Sequence, residues 1–260
     1  MLFKTFSTLA LVVSSVLAVP VADTSSVPHL EARNVNTKGH DQIVALGELV
    51  PDDNVGKAYR QFQPFLRIDS GCFPYPAVDS DGNIGGGLKK GGSPEGKCRG
   101  SEGQLYVRST WYKGYYAIMY AWYMPKDQGT GRLALIGHRH EWENAIVWID
   151  NMDSYEPKIL GISASKHSTY NKYNARPAAN IFPQGNDRPQ IKYYRDVAFF
   201  GTHATNIDDA GKDGKEQVMV QWEMLPPAAR EALENASFGD ANCPIKDGRF
   251  LGQLEKAFPW

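Results

Sequence analysis

Two histidines and two carboxylates are crowded into the seven residues Gly137–Glu143 (GHRHEWE). The next seven residues, Asn144–Asp150 (NAIVWID), are apolar enough to form a buried β-strand, so these polar groups lie at its N-terminal end. Glu141 and Glu143 point to one face if the strand has already begun there, and the leading glycine lets His138 turn toward that face. Such a group of polar side chains beside an apolar strand is costly unless something neutralises it, and a bound cation does so most directly.

A third carboxylate, Asp127, follows the apolar stretch Tyr115–Met124, which is itself predicted to be a strand. If the two strands pair as neighbours, Asp127 returns to the same rim as His138, Glu141 and Glu143. Three carboxylates in one site repel each other and are driven toward protonation unless a divalent cation is present. Because oxygen ligands dominate this set, it favours a hard ion, Ca²⁺, Mg²⁺ or Mn²⁺, over Zn²⁺.

The same residues have a simpler interpretation as part of a solvated surface. His138 and His140 would then be exposed strand residues, and the two glutamates would pair with Arg139 and Lys126. Surface ion pairs of this kind are common and contribute little to stability. The additional carboxylates, and Trp142 beside them, favour the metal site over this alternative.

Enzymatic interpretations fit less well. The zinc-protease motif His-Glu-x-x-His fails, because Asn144 stands where the second histidine is needed after His140. No Gly-x-Ser-x-Gly signature is present. A cupin-like site would use His138 and His140, but Glu143 is close for such a site and no second cupin-like motif follows. As alternate residues of one strand, Glu141 and Glu143 lie nearer together than two carboxylates that flank a sugar bond usually do. We therefore predict that the protein is not an enzyme.

The elements that position these residues are predicted to be mostly strands. Leu105–Tyr112 and Tyr115–Met124 are rich in aromatic residues and are separated by Lys113-Gly114, which predicts a hairpin. Further short strands are predicted at Ala145–Asp150, Lys158–Ser163, Gln190–Tyr194 and Gln217–Trp222. Helices are predicted at Gln42–Leu49, Pro226–Glu234 and Phe250–Ala257. Many short strands with few helices predict a mainly β fold, a single domain with a central β-sandwich flanked by a few α-helices.

The beginning of the chain has the features of a targeting signal. Lys4 precedes the apolar stretch Leu9–Leu17, and small residues follow it, which predicts a signal peptide over residues 1–18, or to residue 22. Residues 19–40 are polar and without periodicity, so we expect a flexible N-terminal arm. The remaining residues, 41–260, are enough for one well-buried domain. The apolar stretch is too short to cross a bilayer, so we expect a secreted, soluble, monomeric protein.

Charge and cysteine content limit the partners and the compartment. The 28 basic and 29 acidic residues nearly cancel, without a basic stripe, so nucleic acid is not an expected partner. Among three cysteines, Cys72 and Cys98 flank the glycine-rich segment within Val78–Gly96, which is predicted to be a surface loop. Such a loop could hardly become ordered by packing, so a disulfide that closes it is expected in a secreted protein. Cys243 is left as a buried free thiol.

Two long segments resemble the hallmark region of a known protein family. They are Ala117–Asp127 (AIMYAWYMPKD) and the histidine-rich stretch Gly137–Glu143. Further matches are found at Gly71–Val78 (GCFPYPAV), Arg108–Tyr112 (RSTWY), Leu233–Asp247 and Leu254–Ala257 (LEKA). From about Asp41 to its C-terminus, the chain is similar to the necrosis- and ethylene-inducing-peptide-like proteins. These are secreted microbial cytolysins and plant immune elicitors.

The resemblance implies a fold, a cation and a membrane target. It implies a β-sandwich with flanking helices, the disulfide Cys72–Cys98 and a divalent cation at the rim of the sandwich. In that family the cation helps to capture the sugar headgroup of plant sphingolipids, the glycosyl inositol phosphorylceramides, and membrane damage follows. The implied cation ligands are Asp127, His138, Glu141 and Glu143. The residues implied near the headgroup are His140, Trp142, His167 and His203.

Three features depart from the pattern of this family. Glu141 stands where the family usually has aspartate, and its extra methylene moves the carboxylate outward, which a Ca²⁺ site tolerates better than a Mg²⁺ site. The loop between Asp127 and Gly137 is longer than usual and contains an apolar run, Leu133–Ile136, which we expect to be additional core. Thr202 stands where relatives often have aspartate or asparagine. A non-cytolytic relative that binds carbohydrate or another surface is the alternative function.

Overall fold

The chain folds mainly into β-strands, as predicted. The computed structural model describes residues 35–129, 136–183, 186–209, 211 and 213–260. The strands are β1 (Thr37–Lys38), β2 (Phe65–Ile68), β3 (Ile84–Gly85), β4 (Gln104–Tyr112), β5 (Tyr115–Met124), β6 (Asp127–Gln128), β7 (Gly137–His138), β8 (Glu141–Ile149), β9 (Ile159–Lys166), β10 (Thr169–Tyr173), β11 (Gln190–Arg195), β12 (His203–Ile207) and β13 (Val218–Gln221). The helices are α1 (Asn54–Phe62), α2 (Pro227–Asn235) and α3 (Phe250–Ala257).

Some predicted features lie outside the described residues. These are the signal peptide over residues 1–18, or to residue 22, the arm up to residue 34, and most of the apolar run Leu133–Ile136. Within the described ranges, no helix combines the length and the apolar character that crossing a bilayer requires. The described residues from 35 onward belong to one compact unit.

The hairpin of β4 and β5 forms the centre of the larger sheet. Lys113 and Gly114 both have positive φ angles, 50° and 86°, as the tight turn between two twisted strands requires. This turn pairs Tyr112 with Tyr115 and fixes the register along the rest of the hairpin. Because the strands are almost entirely apolar or aromatic, β5 and β8 are buried along nearly their whole length.

Two sheets pack to form the sandwich. The larger has the order β10-β9-β8-β5-β4-β13, antiparallel except for the parallel pair β4 and β13. The smaller has the order β12-β11-β2. Thr205 of β12 donates a hydrogen bond of 2.8 Å to the main-chain oxygen of Ser165 in β9, and Asn171 of β10 donates one of 2.9 Å to the main-chain oxygen of Thr205. The prediction of a mainly β fold with a central sandwich and flanking helices is thus confirmed.

The C-terminal helices lie close to their predicted positions. α2 begins at Pro227, where proline's fixed φ angle and missing N–H suit the first turn. α3 buries Phe250 and Leu254. The hydroxyl of Ser163 in β9 donates a hydrogen bond of 2.6 Å to the main-chain oxygen of Ala257. This contact ties the end of α3 to the sheet.

The helix predicted at Gln42–Leu49 is wrong. The side chain of Gln104 accepts a hydrogen bond of 3.1 Å from the main-chain N–H of Leu46 and donates one of 2.9 Å to its main-chain oxygen. Leu49 forms a bridge to Val220 at the edge of the larger sheet. Because these partners satisfy the backbone in an extended form, the segment does not need helical hydrogen bonds. The first helix, α1, begins further along the chain.

Asp53 is the N-cap of α1, and its removal is predicted to destabilise the protein. Its Oδ1 atom accepts a hydrogen bond of 3.1 Å from the main-chain N–H of Gly56. We expect Asp53→Ala to lower the free energy of unfolding by about 1 kcal/mol, the usual cost of losing such a cap. The matched control is Asp52→Ala, which removes a fully exposed neighbouring carboxylate and should change stability by less than about 0.5 kcal/mol. Urea unfolding followed by circular dichroism measures both, and equal effects would contradict the capping role.

The last residues of the predicted N-terminal arm are ordered. Thr37–Lys38 pairs in parallel with Ile84–Gly85, and its lysine forms an ion pair of 3.0 Å with Asp79. His40 is buried. The loop predicted over Val78–Gly96 is accordingly not all at the surface, since Val78, Asp79 and residues 82–85 are buried. The expected mobile arm to residue 40 is therefore corrected, because its last residues complete a small sheet.

Cys72 and Cys98 form a disulfide, with their Cα atoms 5.0 Å apart. It closes the glycine-rich segment, as the sequence suggested. Cys243 is a buried free thiol. Burial is the main cause that raises the pKa of this thiol to about 12, so it behaves as a small apolar side chain.

Candidate metal centre

Strand β8 begins at Glu141, earlier than the predicted start at Ala145, so its two glutamates alternate with Trp142 along a true strand. Glu141 and Glu143 therefore share one face. Their cross-strand partners in β5 are Met124 and Trp122, respectively. The two glutamates thus lie within the sheet itself, opposite apolar side chains.

A two-residue strand pair brings the third carboxylate to the same place. After β5 ends, β6 and β7 pair antiparallel, with Asp127 directly opposite His138. Gly137 has a φ angle of 109°, and a side chain there would place its Cβ only 2.4 Å from the main-chain oxygen of Asp127. Glycine is therefore required for the backbones of β6 and β7 to approach this closely.

Asp127, His138 and Glu141 form a cluster whose candidate ligand atoms all lie within 4.8 Å of one another. The Nδ1 atom of His138 is hydrogen-bonded to the main-chain oxygen of His140. Since a carbonyl oxygen can only accept, Nδ1 carries a proton, and the neutral form of the ring then has its lone pair on Nε2. That Nε2 atom lies 3.5 Å from Oε2 of Glu141. The imidazole is thus held in the tautomer that a metal ligand needs.

His203 fixes the orientation of Asp127. The Nδ1 atom of His203 lies 2.6 Å from Oδ1 of Asp127, and its main-chain N–H donates to the two carboxylate oxygens over 3.2 and 3.1 Å. On its other side, the Nε2 atom of His203 lies 3.0 Å from the hydroxyl of Ser70. Burial favours the neutral form of Asp127, but the hydrogen bonds and charge of His203 outweigh burial and hold the pKa of Asp127 below its usual value. Asp127 is therefore the carboxylate most readily ionised.

The two glutamates have the opposite tendency. Burial, and then the charges of Asp127 and Glu143, raise the pKa of Glu141 well above its usual value. Burial likewise raises the pKa of Glu143, although a hydrogen bond from the hydroxyl of Ser165 opposes the shift. These directions are those expected for carboxylates that share a poorly solvated site without enough positive charge. A cation would reverse them.

Tyr193 provides an independent test of whether a cation fits. Its ring stacks on that of His203 with centroids 4.7 Å apart, and its hydroxyl is buried without a hydrogen-bond partner among the described residues. Burial raises the pKa of this hydroxyl, and the next causes are Asp127, Glu141 and Glu143, which places the phenol near all three carboxylates. A hydrated divalent cation would neutralise these carboxylates and offer the phenol a partner. The residues present therefore fit a hard cation.

The other residues implied near the site have different roles. His140 does not line the cavity described below. Its Nδ1 atom lies 2.7 Å from the hydroxyl of Tyr123, and its ring meets Phe238 edge-on at 5.3 Å. Burial, followed by the charges of Arg139 and His138, lowers the pKa of His140 to about 4. The imidazole is therefore neutral at physiological pH and supports the turn before β8 by packing.

Two residues of the cluster, His138 and Glu141, line a cavity of about 400 Å³. Glu143, Trp142, His167 and His203 also line it, and Lys256 of α3 stands in its wall. Trp142 packs against Tyr106, Tyr123 and Phe238, with ring centroids 5.4–5.5 Å apart. The Nε2 atom of His167 lies 3.3 Å from Oδ2 of Asp196, which also pairs with Lys166 at 3.1 Å. The cavity therefore combines carboxylates, amides, hydroxyls and an indole face, a mixture suited to a polyhydroxylated ligand.

The model of the family described as Necrosis inducing protein (NPP1) matches residues 56–257. The chain belongs to this family. It is 43% identical over 227 residues to NLP effector protein 2 of Phytophthora capsici, covering 86% of this chain and 88% of that one. It is 41% identical over 221 residues to necrosis-inducing protein NPP1 of Phytophthora nicotianae, covering 84% and 90%, respectively. The resemblance in the sequence is thus confirmed.

Solved structures of the family share the fold. The non-toxic HaNLP3 protein is 42% identical, with a TM-score of 0.78, over 85% of this chain and 99% of that one. NLPPya in complex with mannosamine is 40% identical, with a TM-score of 0.76 and the same coverages. One structure of this fold, described as a toxin fold for microbial attack and plant defence, is 40% identical with a TM-score of 0.75. The NPP1 family thus includes both a toxin fold and a non-toxic member.

Proposed function

We propose that this NPP1-family protein is a secreted, non-enzymatic cytolysin and elicitor. With a divalent cation held by its carboxylate cluster, the protein would capture the sugar headgroup of plant plasma-membrane sphingolipids, the glycosyl inositol phosphorylceramides, and leakage and necrosis would follow. The observation that carries this proposal is the cluster of Asp127, His138 and Glu141, two members of which, His138 and Glu141, line a cavity large enough for a sugar. The structure of NLPPya with mannosamine supports sugar recognition by a relative.

Each residue of the site has a distinct part in this proposal. Asp127, His138 and Glu141 are the inner ligands, and Glu143 completes the set from the same face of β8. The cation supplies a fixed positive charge to hydroxyl, phosphate or carboxylate oxygens of the headgroup. His203 holds Asp127 in position. His167, together with the indole of Trp142, shapes the cavity in which the sugar lies.

The rim of the cavity offers a surface for the membrane. Phe200, which lines the cavity, is 59% exposed, and Val197 nearby is 75% exposed. Apolar side chains beside a headgroup site can enter the interfacial region of a bilayer without any spanning helix. The protein would act as a monomer after removal of a signal peptide at residues 1–18, or to residue 22. The disulfide Cys72–Cys98 supports an oxidising, extracellular location.

Binding to defined vesicles tests this proposal. We expect the protein to sediment with vesicles that contain glycosyl inositol phosphorylceramide in the presence of Ca²⁺, and to remain in solution when a chelator is added. Vesicles that lack this lipid are the control for the headgroup, and Glu143→Gln is the control for the ion. Equal sedimentation with and without chelator would overturn the role of the cation, and equal sedimentation with both vesicles would overturn the role of the headgroup.

A second function is favoured by one comparison. HaNLP3, described as non-toxic, is 42% identical to this chain and shares its fold. The alternative is therefore a secreted carbohydrate-binding or surface-binding relative that keeps the cation site but does not damage membranes. Headgroup binding without release of vesicle contents would select this alternative.

Glu141 is predicted to determine which ion the site prefers. Its longer side chain suits the variable, longer contacts of Ca²⁺, whereas Mg²⁺ requires short distances and near-ideal octahedral geometry. We expect Glu141→Asp to raise the ratio of Mg²⁺ to Ca²⁺ affinity by roughly tenfold, at the lower end of what changes around a metal site produce. Isothermal titration calorimetry with each ion measures this ratio. An unchanged ratio, with both ions still bound, would show that Glu141 does not set the preference.

A further inference from the structure

The residues on either side of Asp127 are buried and do not line the cavity. Lys126, Asp127 and Gln128 are exposed by only 3%, 1% and 1%. Asp127 contacts His203, whereas the side chains of Lys126 and Gln128 contact the glycine-rich segment closed by the disulfide. This alternation is the ordinary consequence of an extended backbone. The candidate cation ligand is therefore held between two parts of the molecule.

Gln128 binds the backbone of the glycine-rich segment with both ends of its amide. Its Oε1 atom accepts a hydrogen bond of 2.9 Å from the main-chain N–H of Gly91, and its Nε2 atom donates one of 3.0 Å to the main-chain oxygen of Gly92. Both hydrogen bonds join a side chain of β6 to the main chain of the segment. They fix the segment and the strand to each other.

Lys126 makes the next contacts along the same segment. Its ammonium group donates hydrogen bonds of 2.9 Å to the main-chain oxygen of Ser93 and 3.2 Å to Oε1 of Gln128. Both acceptors are neutral, and the lysine side chain is buried. A buried ammonium that lost these acceptors would pay a large desolvation cost, so displacement of the segment is resisted.

The part of the segment that these side chains bind, Gly91–Ser93, is exposed and has little packing to hold it. At Gly91 and Gly92, with φ angles of 140° and 64°, a Cβ atom would meet nothing within 4 Å. Its position depends on the contacts to Lys126 and Gln128, on a main-chain hydrogen bond of 2.8 Å from Leu88 to Pro125, and on the nearby disulfide. A short, open segment of this kind becomes mobile when its few fixed points are removed.

We propose that Lys126 and Gln128 are positioning residues for the cation site. Their side chains form hydrogen bonds with the main chain of Gly91–Ser93, within the segment that the disulfide Cys72–Cys98 closes. These contacts hold Asp127 where His138 and Glu141 can share a cation with it. The inference rests on the proposed cation site and adds a structural reason for the disulfide. The affinity for the cation accordingly depends on side chains that never touch it, and on the oxidation state of the two cysteines.

The test compares two buried glutamines that bind backbone in the same way. The amide of Gln104 forms hydrogen bonds with both main-chain groups of Leu46, as the amide of Gln128 does with the glycine-rich segment. Gln104 lies in β4, however, whereas Gln128 lies in β6. We expect Gln128→Ala to weaken Ca²⁺ binding by about 10- to 100-fold, the range observed for groups that orient metal ligands. Gln104→Ala should lower the thermal unfolding temperature and leave Ca²⁺ affinity unchanged. Titration calorimetry and circular dichroism provide the two readouts.

Two further variants keep the outcome decisive. If Gln128→Ala does not fold, Lys126→Met, which keeps the volume of the side chain, is measured instead and should show a similar loss. The double variant Cys72→Ala/Cys98→Ala, or mild reduction of the folded protein, should weaken Ca²⁺ binding in the same direction. Wild-type affinity in the folded Gln128→Ala or Lys126→Met protein overturns the positioning role. Failure of the wild-type protein to bind any divalent cation overturns the proposed function instead, and this inference with it.

Discussion

Asp127→Asn is expected to abolish cation binding in a protein that still folds. Asp127 is the carboxylate whose pKa is held low, by His203, so it is the ligand most reliably charged when a cation arrives. Asparagine keeps the size and an oxygen acceptor for the main-chain N–H of His203, but it removes the charge. Since changes in groups behind a ligand already cost 10- to 100-fold, loss of a charged inner ligand should exceed about 100-fold.

The same substitution should have a moderate effect on the metal-free fold. Weakening the buried contact between Asp127 and His203 is expected to lower the free energy of unfolding by about 1–3 kcal/mol. The matched control is Asp208→Asn, which removes another buried carboxylate, paired with Arg67 and Lys192 in the smaller sheet. That control should lose stability but retain its Ca²⁺ affinity, as measured by calorimetry. Retained affinity in Asp127→Asn would remove Asp127 from the ligand set.

Raising the pH is expected to destabilise the metal-free protein at this site, and calcium should reverse the effect. The pKa values of Glu141 and Glu143 are raised by burial and by their neighbours. A carboxyl with a raised pKa in the folded state contributes stability that is full below its unfolded pKa, about 4.3, and is lost as the pH rises through the folded value. Each unit by which the pKa is raised corresponds to about 1.4 kcal/mol.

Two other groups shift in the opposite direction and must be separated from this effect. The pKa of Asp127 is lowered, so its contribution is present above the unfolded value of about 3.9 and is lost as the pH falls below that. His140, with a pKa lowered to about 4, costs stability as the pH falls from about 6.5 toward 4. Neither group changes the stability with pH above about pH 6.5, because there Asp127 is ionised and His140 is neutral in both the folded and the unfolded protein.

The measurement is the unfolding temperature in calcium and in chelator, from about pH 6.5 to pH 8. Cation binding requires ionised carboxylates and a neutral His138, so it strengthens as the pH rises, while the metal-free protein loses the stability that protonated glutamates provide. The difference between the two unfolding temperatures should therefore grow with pH. Glu143→Gln should flatten the slope in chelator. A difference that stays constant across this range would contradict a shared carboxylate site.

The central strands could be predicted because their sequences carry a strong local signal. Tyr115–Met124 is continuously apolar and aromatic, and the Lys113-Gly114 turn fixes the hairpin. The crowding of charge around Glu141 likewise indicated a cation, because the residue types and a neighbouring strand are enough to indicate such a site. By contrast, Thr169–Tyr173 and His203–Ile207 are polar strands that exist because they pair with other strands, which local composition does not show.

The supporting residues of the site could not be found from spacing. His203 was expected near the cation, but its hydrogen bond with Asp127 joins residues that are 76 positions apart. Ser165, which donates to Glu143, and Tyr193, which stacks on His203, belong to ordinary strand sequences without any motif. The helix wrongly predicted at Gln42–Leu49 fails for a related reason, since a distant glutamine satisfies its backbone. Contacts between distant segments decide such cases.

Release of a dye from plant plasma-membrane vesicles, first with calcium and then with chelator, tests the proposed function most directly. The expected result is leakage in calcium that stops in chelator and is absent for Asp127→Asn. Leakage that continues in chelator would contradict the role of the cation. No leakage from folded, calcium-bound protein would contradict cytolysis and leave the non-toxic, surface-binding alternative.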